Sequence, residues 1–206
     1  MPNLSVRKFQ TPPQTVELPD APKLEFDLEI GAGTGTHALD YCERHPSRQL
    51  VAIERTHNKY KSFKSKAEAQ KVSNLMAFQG DAIWWVAQKV QHRMISRVFL
   101  LYPNPYPKNA QKALRWHASP FMGLLLNRIV PGGQLQLATN IPAYFEEALL
   151  YYENYWGLKV EQSLITDRPG RTAFEKKYLA RGETCFQLNC RLIDGWTPPH
   201  PHKLTH

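Results

Sequence analysis

The stretch Leu24-Glu25-Phe26-Asp27-Leu28-Glu29-Ile30-Gly31-Ala32-Gly33-Thr34-Gly35 joins a strand-like run to glycines at alternate positions. Glycine there lets the backbone turn tightly and lets a ligand approach without Cβ interference. The spacing is G-x-G-x-G, which differs from the G-x-G-x-x-G of dinucleotide folds. Many strand-to-helix turns use glycine for geometry alone, so the meaning of this one depends on its company. Strand patterns at Leu24–Ile30 and Gln49–Glu54 flank a helix over Thr36–Arg44. A helix at His57–Val72, a strand at Leu75–Gln79 and a helix at Ala82–Gln91 follow. The strand Arg97–Leu101 and the helix Ser119–Ile129 come next. Pro131-Gly132-Gly133 reads as a turn opening the strand Gln134–Thr139, and Pro142 suits the first turn of a helix running to Trp156. Leu158–Thr166 and Thr184–Leu192 read as a closing antiparallel pair joined by a long loop. This alternation predicts an α/β fold: a mostly parallel, seven-stranded sheet with helices on both faces.

The chain has 206 residues and 42% hydrophobic content, enough for one α/β domain with a full core. Residues 1–23 are polar and proline-rich and read as an N-terminal arm. The domain spans 24–194, and 195–206 form a tail whose three histidines lack ligand spacing for a metal. A net charge of +8 favours an anionic partner, nucleic acid being the usual one. Cys42, Cys185 and Cys190 show no C-x-x-C spacing, and the last two fall on opposite faces of one strand. The pattern is that of a reduced, cytoplasmic protein without structural zinc. No apolar run approaches the roughly 18 residues of a membrane span.

Three acids accompany the glycine turn. Glu29 ends the first strand, Glu54 the second, and Asp81 follows the third. Carboxylates at those ends can accept the ribose hydroxyls and adenine amino group of an adenosine. Singly, each also reads as a helix cap or a solvated charge. The fourth strand runs into Tyr102-Pro103-Asn104-Pro105-Tyr106-Pro107-Lys108, where alternating prolines forbid both strand ladder and helix. The result is a stiff loop at a sheet's carboxyl end, where ligands of open α/β sheets bind.

Glu29, Glu54 and Asp81, with Gly31, Gly33 and Gly35, resemble the S-adenosylmethionine site of the Rossmann-like class I methyltransferases. The proline loop is similar to the F-P-D-P-W-P-K loop of the tRNA (guanine-N7-)-methyltransferase family. Thr172-Ala173-Phe174-Glu175 matches that family's T-x-[FY]-E motif, and Ala138-Thr139-Asn140 stands where it has T-D. The resemblance covers roughly Leu28 to Leu188. It implies S-adenosylmethionine as cofactor, tRNA as partner, and N7 of guanine as the methylated atom. It further implies that Asn104 lies at the catalytic and cofactor site. Lys108, Asn140, Thr172, Phe174 and Glu175 are then implied to grip the substrate, with Glu175 able to accept from the guanine N1–H and N2–H₂ edge. Two positions depart from the family: Asn104 and Asn140 replace aspartates, losing a charged acceptor and gaining an NH₂ donor. Those amides leave room for a member with lost turnover that still binds cofactor and RNA, or for another nucleobase or small-molecule substrate. Lys108, Lys112, Arg115 and His117 read as what remains of the family's basic run. Arg168, Arg171, Lys176, Lys177 and Arg181 read as a phosphate-binding cluster.

Overall fold

The computed structural model describes residues 4–11, 13, 17–167 and 169–199. Arg168 and the tail from His200 to His206, both read above from sequence, lie outside the described residues.

Among the described residues, seven strands form one sheet: β1 (Phe26–Ile30), β2 (Leu50–Glu54), β3 (Leu75–Gln79), β4 (Ile95–Leu101), β5 (Ile129–Thr139), β6 (Lys159–Leu164) and β7 (Phe186–Arg191). Their order is β3-β2-β1-β4-β5-β7-β6, and only β7 runs antiparallel to its neighbours. Every residue of β1 and β2 is buried, as expected for central parallel strands covered on both faces. Among the described residues, six α-helices cover the sheet: α1 (Thr36–Arg44), α2 (His57–Gln70), α3 (Ala82–Lys89), α4 (Phe121–Arg128), α5 (Pro142–Leu150) and α6 (Ala173–Ala180). Strand order reverses between β1 and β4, which opens a crevice above their carboxyl ends. On α2, Phe63 is buried while Lys59, Lys61, Lys64 and Lys66 are exposed.

Three local expectations are corrected, and the stretch after the proline loop, which carried none, is filled in. The loop expected between β6 and β7 contains α6. Its start is encoded in Thr172-x-x-Glu175, a capping-box spacing, and Thr172 Oγ1 accepts from the Glu175 N–H at 2.9 Å. The proline loop continues into two 3₁₀ segments, Asn109–Leu114 and Trp116–Ala118. The helix expected to reach Trp156 changes at Leu150 to a wider π-helical turn over Tyr151–Tyr155. Pro131-Gly132-Gly133 is a bulge within β5: Ile129 pairs with Ile95, and the next pair is Gln134 with Arg97. Part of the N-terminal arm packs on the domain, where Val6 and Leu18 join the core and Pro19 O accepts from the Trp85 indole at 2.8 Å.

Candidate active site

A cleft of about 690 Å³ opens over the carboxyl ends of β1 to β5. Its acidic end is built by the first three strands. Glu29 is buried and sits 3.0 Å from Nδ1 of His37, in the first turn of α1. Glu54 spans two loops: Oε2 accepts from the Gly33 N–H at 2.8 Å and Oε1 from the Thr56 N–H at 2.7 Å. Asp81 caps α3, with Oδ1 accepting from the Ile83 N–H at 2.8 Å. Gly31, at φ +80°, and Gly33 both line the cleft, and a Cβ on either would meet nothing within 4 Å. The backbone is therefore open on the side facing the cleft. Open backbone beside three carboxylates with unused acceptor capacity suits a nucleoside bearing hydroxyl and amino donors, and so fits S-adenosylmethionine. Gly35 has a packing task. It is absent from the cleft wall, and at φ +79° its Cβ would lie 2.0 Å from the Phe63 ring, so it permits α2 to close on α1.

The proline loop forms the middle of the cleft. Tyr102 and Tyr106 hold φ of +53° and +44°, the left-handed region that costs a non-glycine residue roughly 1–3 kcal/mol. Surrounding contacts hold both. The Tyr102 N–H donates to Ala138 O at 2.8 Å, and its hydroxyl donates to Glu175 Oε2 at 2.9 Å. Asn104 Oδ1 accepts from the Tyr106 N–H at 3.2 Å, and Tyr106 O accepts from Arg115 Nε and Nη2 at 3.1 and 2.9 Å. Arg115 is in turn ion-paired to Glu147 of α5, whose carboxylate also meets His117 Nε2 at 3.0 Å and Lys112 Nζ at 3.4 Å. Burial pushes the Glu147 carboxyl up, but the bonds from His117 and Arg115 outweigh it and hold the group at about 2. Burial shifts the His117 imidazole down. Arg115 and His117 are thus internal struts of the loop, which corrects their reading as a basic run. Lys108 is exposed and lies outside the cleft wall.

The third wall comes from α6 and the end of β5. Phe174 is 44% exposed and lines the cleft; Tyr178 stacks against it at 19° and 6.2 Å, and Lys59 Nζ lies 5.7 Å from the Phe174 ring centroid. Thr172 also lines the cleft while capping α6. Glu175 does not match its expected place. It is fully buried and accepts from Arg171 N (2.8 Å), Arg171 Nε (3.0 Å), Arg171 Nη2 (2.8 Å) and the Tyr102 hydroxyl. Those four bonds fill a carboxylate's acceptor capacity, so no position remains for a base edge. Burial raises its pKa, and the Arg171 bonds bring it below the ordinary value. Asn140 lines the cleft, and its Nδ2 donates to Glu183 Oε2 at 2.7 Å.

Sequence reasoning missed Tyr102, Arg171, Arg115, Glu147 and Glu183 as structural partners of the site. Only the Arg171–Glu175 pair had a local signal, opposite charges four residues apart at a helix start. Among the described residues, no group of three or more His, Cys, Asp or Glu side chains could hold a metal, and no helix is long and apolar enough to cross a membrane.

A sheet of this order, with the cleft at the switch point, defines the class I methyltransferase fold. A solved 16S rRNA (adenine(1408)-N(1))-methyltransferase from Catenulisporales acidiphilia shares it, with a TM-score of 0.58 and 16% identity over 84% of this chain and 88% of that one. The chain belongs to a methyltransferase family: residues 25–188 match the family model described as "Putative methyltransferase". Among curated relatives, a Myxococcus xanthus protein named tRNA (guanine-N(7)-)-methyltransferase is 28% identical over 79% of this chain and 81% of its own length. A protein of the same name from Nitrosomonas eutropha is 29% identical, over 82% of this chain and 75% of its own.

Proposed function

We propose that this protein transfers the methyl group of S-adenosylmethionine to N7 of a guanine in tRNA. The observation that carries this reading is the match, across most of both chains, to relatives named for that reaction. The cleft supports it by placing a nucleoside-suited acidic end beside a stiffened loop and an exposed aromatic ring.

Glu29, Glu54, Asp81 and the open backbone at Gly31 and Gly33 would hold the cofactor, with Asn104 close to its reactive end. When bound, the cofactor supplies an electrophilic methyl group on a sulfonium. Guanine N7 already carries a free lone pair at neutral pH, so the chain needs no general base to expose it. Its work is to place N7 in line with the methyl group and to exclude water, which can account for several kcal/mol of a barrier. The two left-handed tyrosines and the Arg115–Glu147 brace keep the proline loop still for that purpose. Phe174, backed by Tyr178, offers a ring on which the target base stacks, a contact worth about 1–3 kcal/mol. The exposed lysines of α2, with Lys108, Lys176 and Lys177, suit the RNA backbone, and such contacts make affinity fall with salt. The reaction belongs in the cytoplasm, where its tRNA substrate is found.

Incubating the protein with an unmodified tRNA transcript and methyl-labelled cofactor should yield N7-methylguanosine on nucleoside mass spectrometry. Cofactor binding shown by calorimetry, without that product, overturns the reading and leaves a binding protein.

A further inference from the structure

The acids lining the cleft, Glu29, Glu54 and Asp81, all stand at its cofactor end. On the substrate side, Glu175 has no acceptor position left. A guanine brought there presents N–H donors, and an acceptor must come from another group. Two side-chain amides line the wall: Asn104, whose Oδ1 already accepts from the Tyr106 N–H, and Asn140, directly after β5.

An amide can face either way, so its polarity toward a ligand depends on its partner. The partner of Asn140 is Glu183, and an ionised carboxylate only accepts. The 2.7 Å contact therefore requires Asn140 to direct its NH₂ at Glu183. Glu183 is itself held: its N–H donates to Tyr178 O at 3.0 Å in the turn that ends α6, and Arg181 lies 3.8 Å from its other oxygen. With the NH₂ pinned, Oδ1 is the atom Asn140 offers to a ligand. We infer that Glu183 is a positioning residue that fixes the Asn140 amide with its oxygen as the acceptor for an N–H donor of the target base.

The same geometry explains why an amide stands at this position. An aspartate at 140 would set a second carboxylate against Glu183 at hydrogen-bonding distance, and two like charges that close do not both ionise. Amide and acid thus form a matched pair: the negative charge sits on Glu183, and Asn140 passes acceptor character to the cleft.

The inference rests on the proposed function for the identity of the donor. Its test is a cycle of Asn140→Asp, Glu183→Gln and the double variant. N140D alone should lower the melting temperature and reduce kcat/KM for tRNA by about tenfold, a coupling ordinary for hydrogen-bonded neighbours. In the double variant the introduced glutamine donates to the introduced aspartate, which restores the contact in reverse and leaves the other carboxylate oxygen for the base. The melting temperature should then recover, and kcat/KM should return to within about threefold of wild type. An N140D variant indistinguishable from wild type, or a double variant no better than N140D, overturns the inference. Running the same cycle on affinity for unmodified tRNA separates the two claims. A wild type without methyl transfer refutes the proposed function, and the binding cycle then decides the role of Asn140.

Discussion

Replacing Glu147 with glutamine isolates the brace behind the proline loop. The carboxyl falls from an ordinary 4.5 to about 2, because bonds from His117 and Arg115 outweigh the opposing effect of burial. At 1.36 kcal/mol per pKa unit that difference corresponds to about 3 kcal/mol of native-state stability. Solvent screening at a side chain 19% exposed reduces this to about 2 kcal/mol. A depressed carboxyl pKa contributes its stability fully above about 4.5 and loses it as the pH falls toward 2. Urea unfolding of wild type and E147Q should therefore differ by about 2 kcal/mol at neutral pH, with the gap narrowing by about 1 kcal/mol at a pH of roughly 3.5. At neutral pH the variant should also show a raised KM for tRNA, since Arg115 loses the charge that steadies its grip on Tyr106 O. A gap that is absent, or that stays constant from neutral pH to about 3.5, would refute the assigned role of Glu147.

Two glycine substitutions should separate packing from ligand access. Gly35→Ala, with its Cβ 2.0 Å from the Phe63 ring at φ +79°, should cost roughly 3 kcal/mol or more in thermal unfolding. Gly31→Ala meets open space and should cost only about 1–2 kcal/mol of backbone strain, yet calorimetry should show cofactor affinity falling sharply. Equal effects of the two on stability would contradict this division. Phe174→Ala should raise KM for tRNA by about tenfold while leaving the cofactor dissociation constant unchanged, as loss of a stacking surface requires. A change in cofactor affinity alone would place Phe174 elsewhere in the mechanism.

The parallel sheet and its glycine turn are readable because both are local in sequence. Apolar runs ending in glycine or acid mark strand ends, and Glu29, Glu54 and Asp81 all reach the cleft. What fails are inferences needing a partner far along the chain. Gly35 looks like its neighbours, yet Phe63 decides its role. Glu175 carries a motif, but Tyr102, 73 residues away, fills one of its acceptor positions. Arg115 and His117 look like free cations until Glu147, about 30 residues later, folds against them. The start of α6 is a different miss, since Thr172 and Glu175 bear a capping spacing that their motif alone does not suggest.

The insertion of β7 between β5 and β6 has a consequence for how the chain is made. Synthesis delivers β6 before β7, its neighbour in the sheet, exists, so β5 and β6 both emerge as open edges. The glycine turn, Glu54 and Asp81 come from the portion of the sheet completed early, whereas Asn140 waits for Glu183, just ahead of β7. A nascent chain paused before Glu183 thus has the nucleoside half of its cleft but lacks the finished opposite wall, and it presents unpaired backbone to chaperones or to other copies.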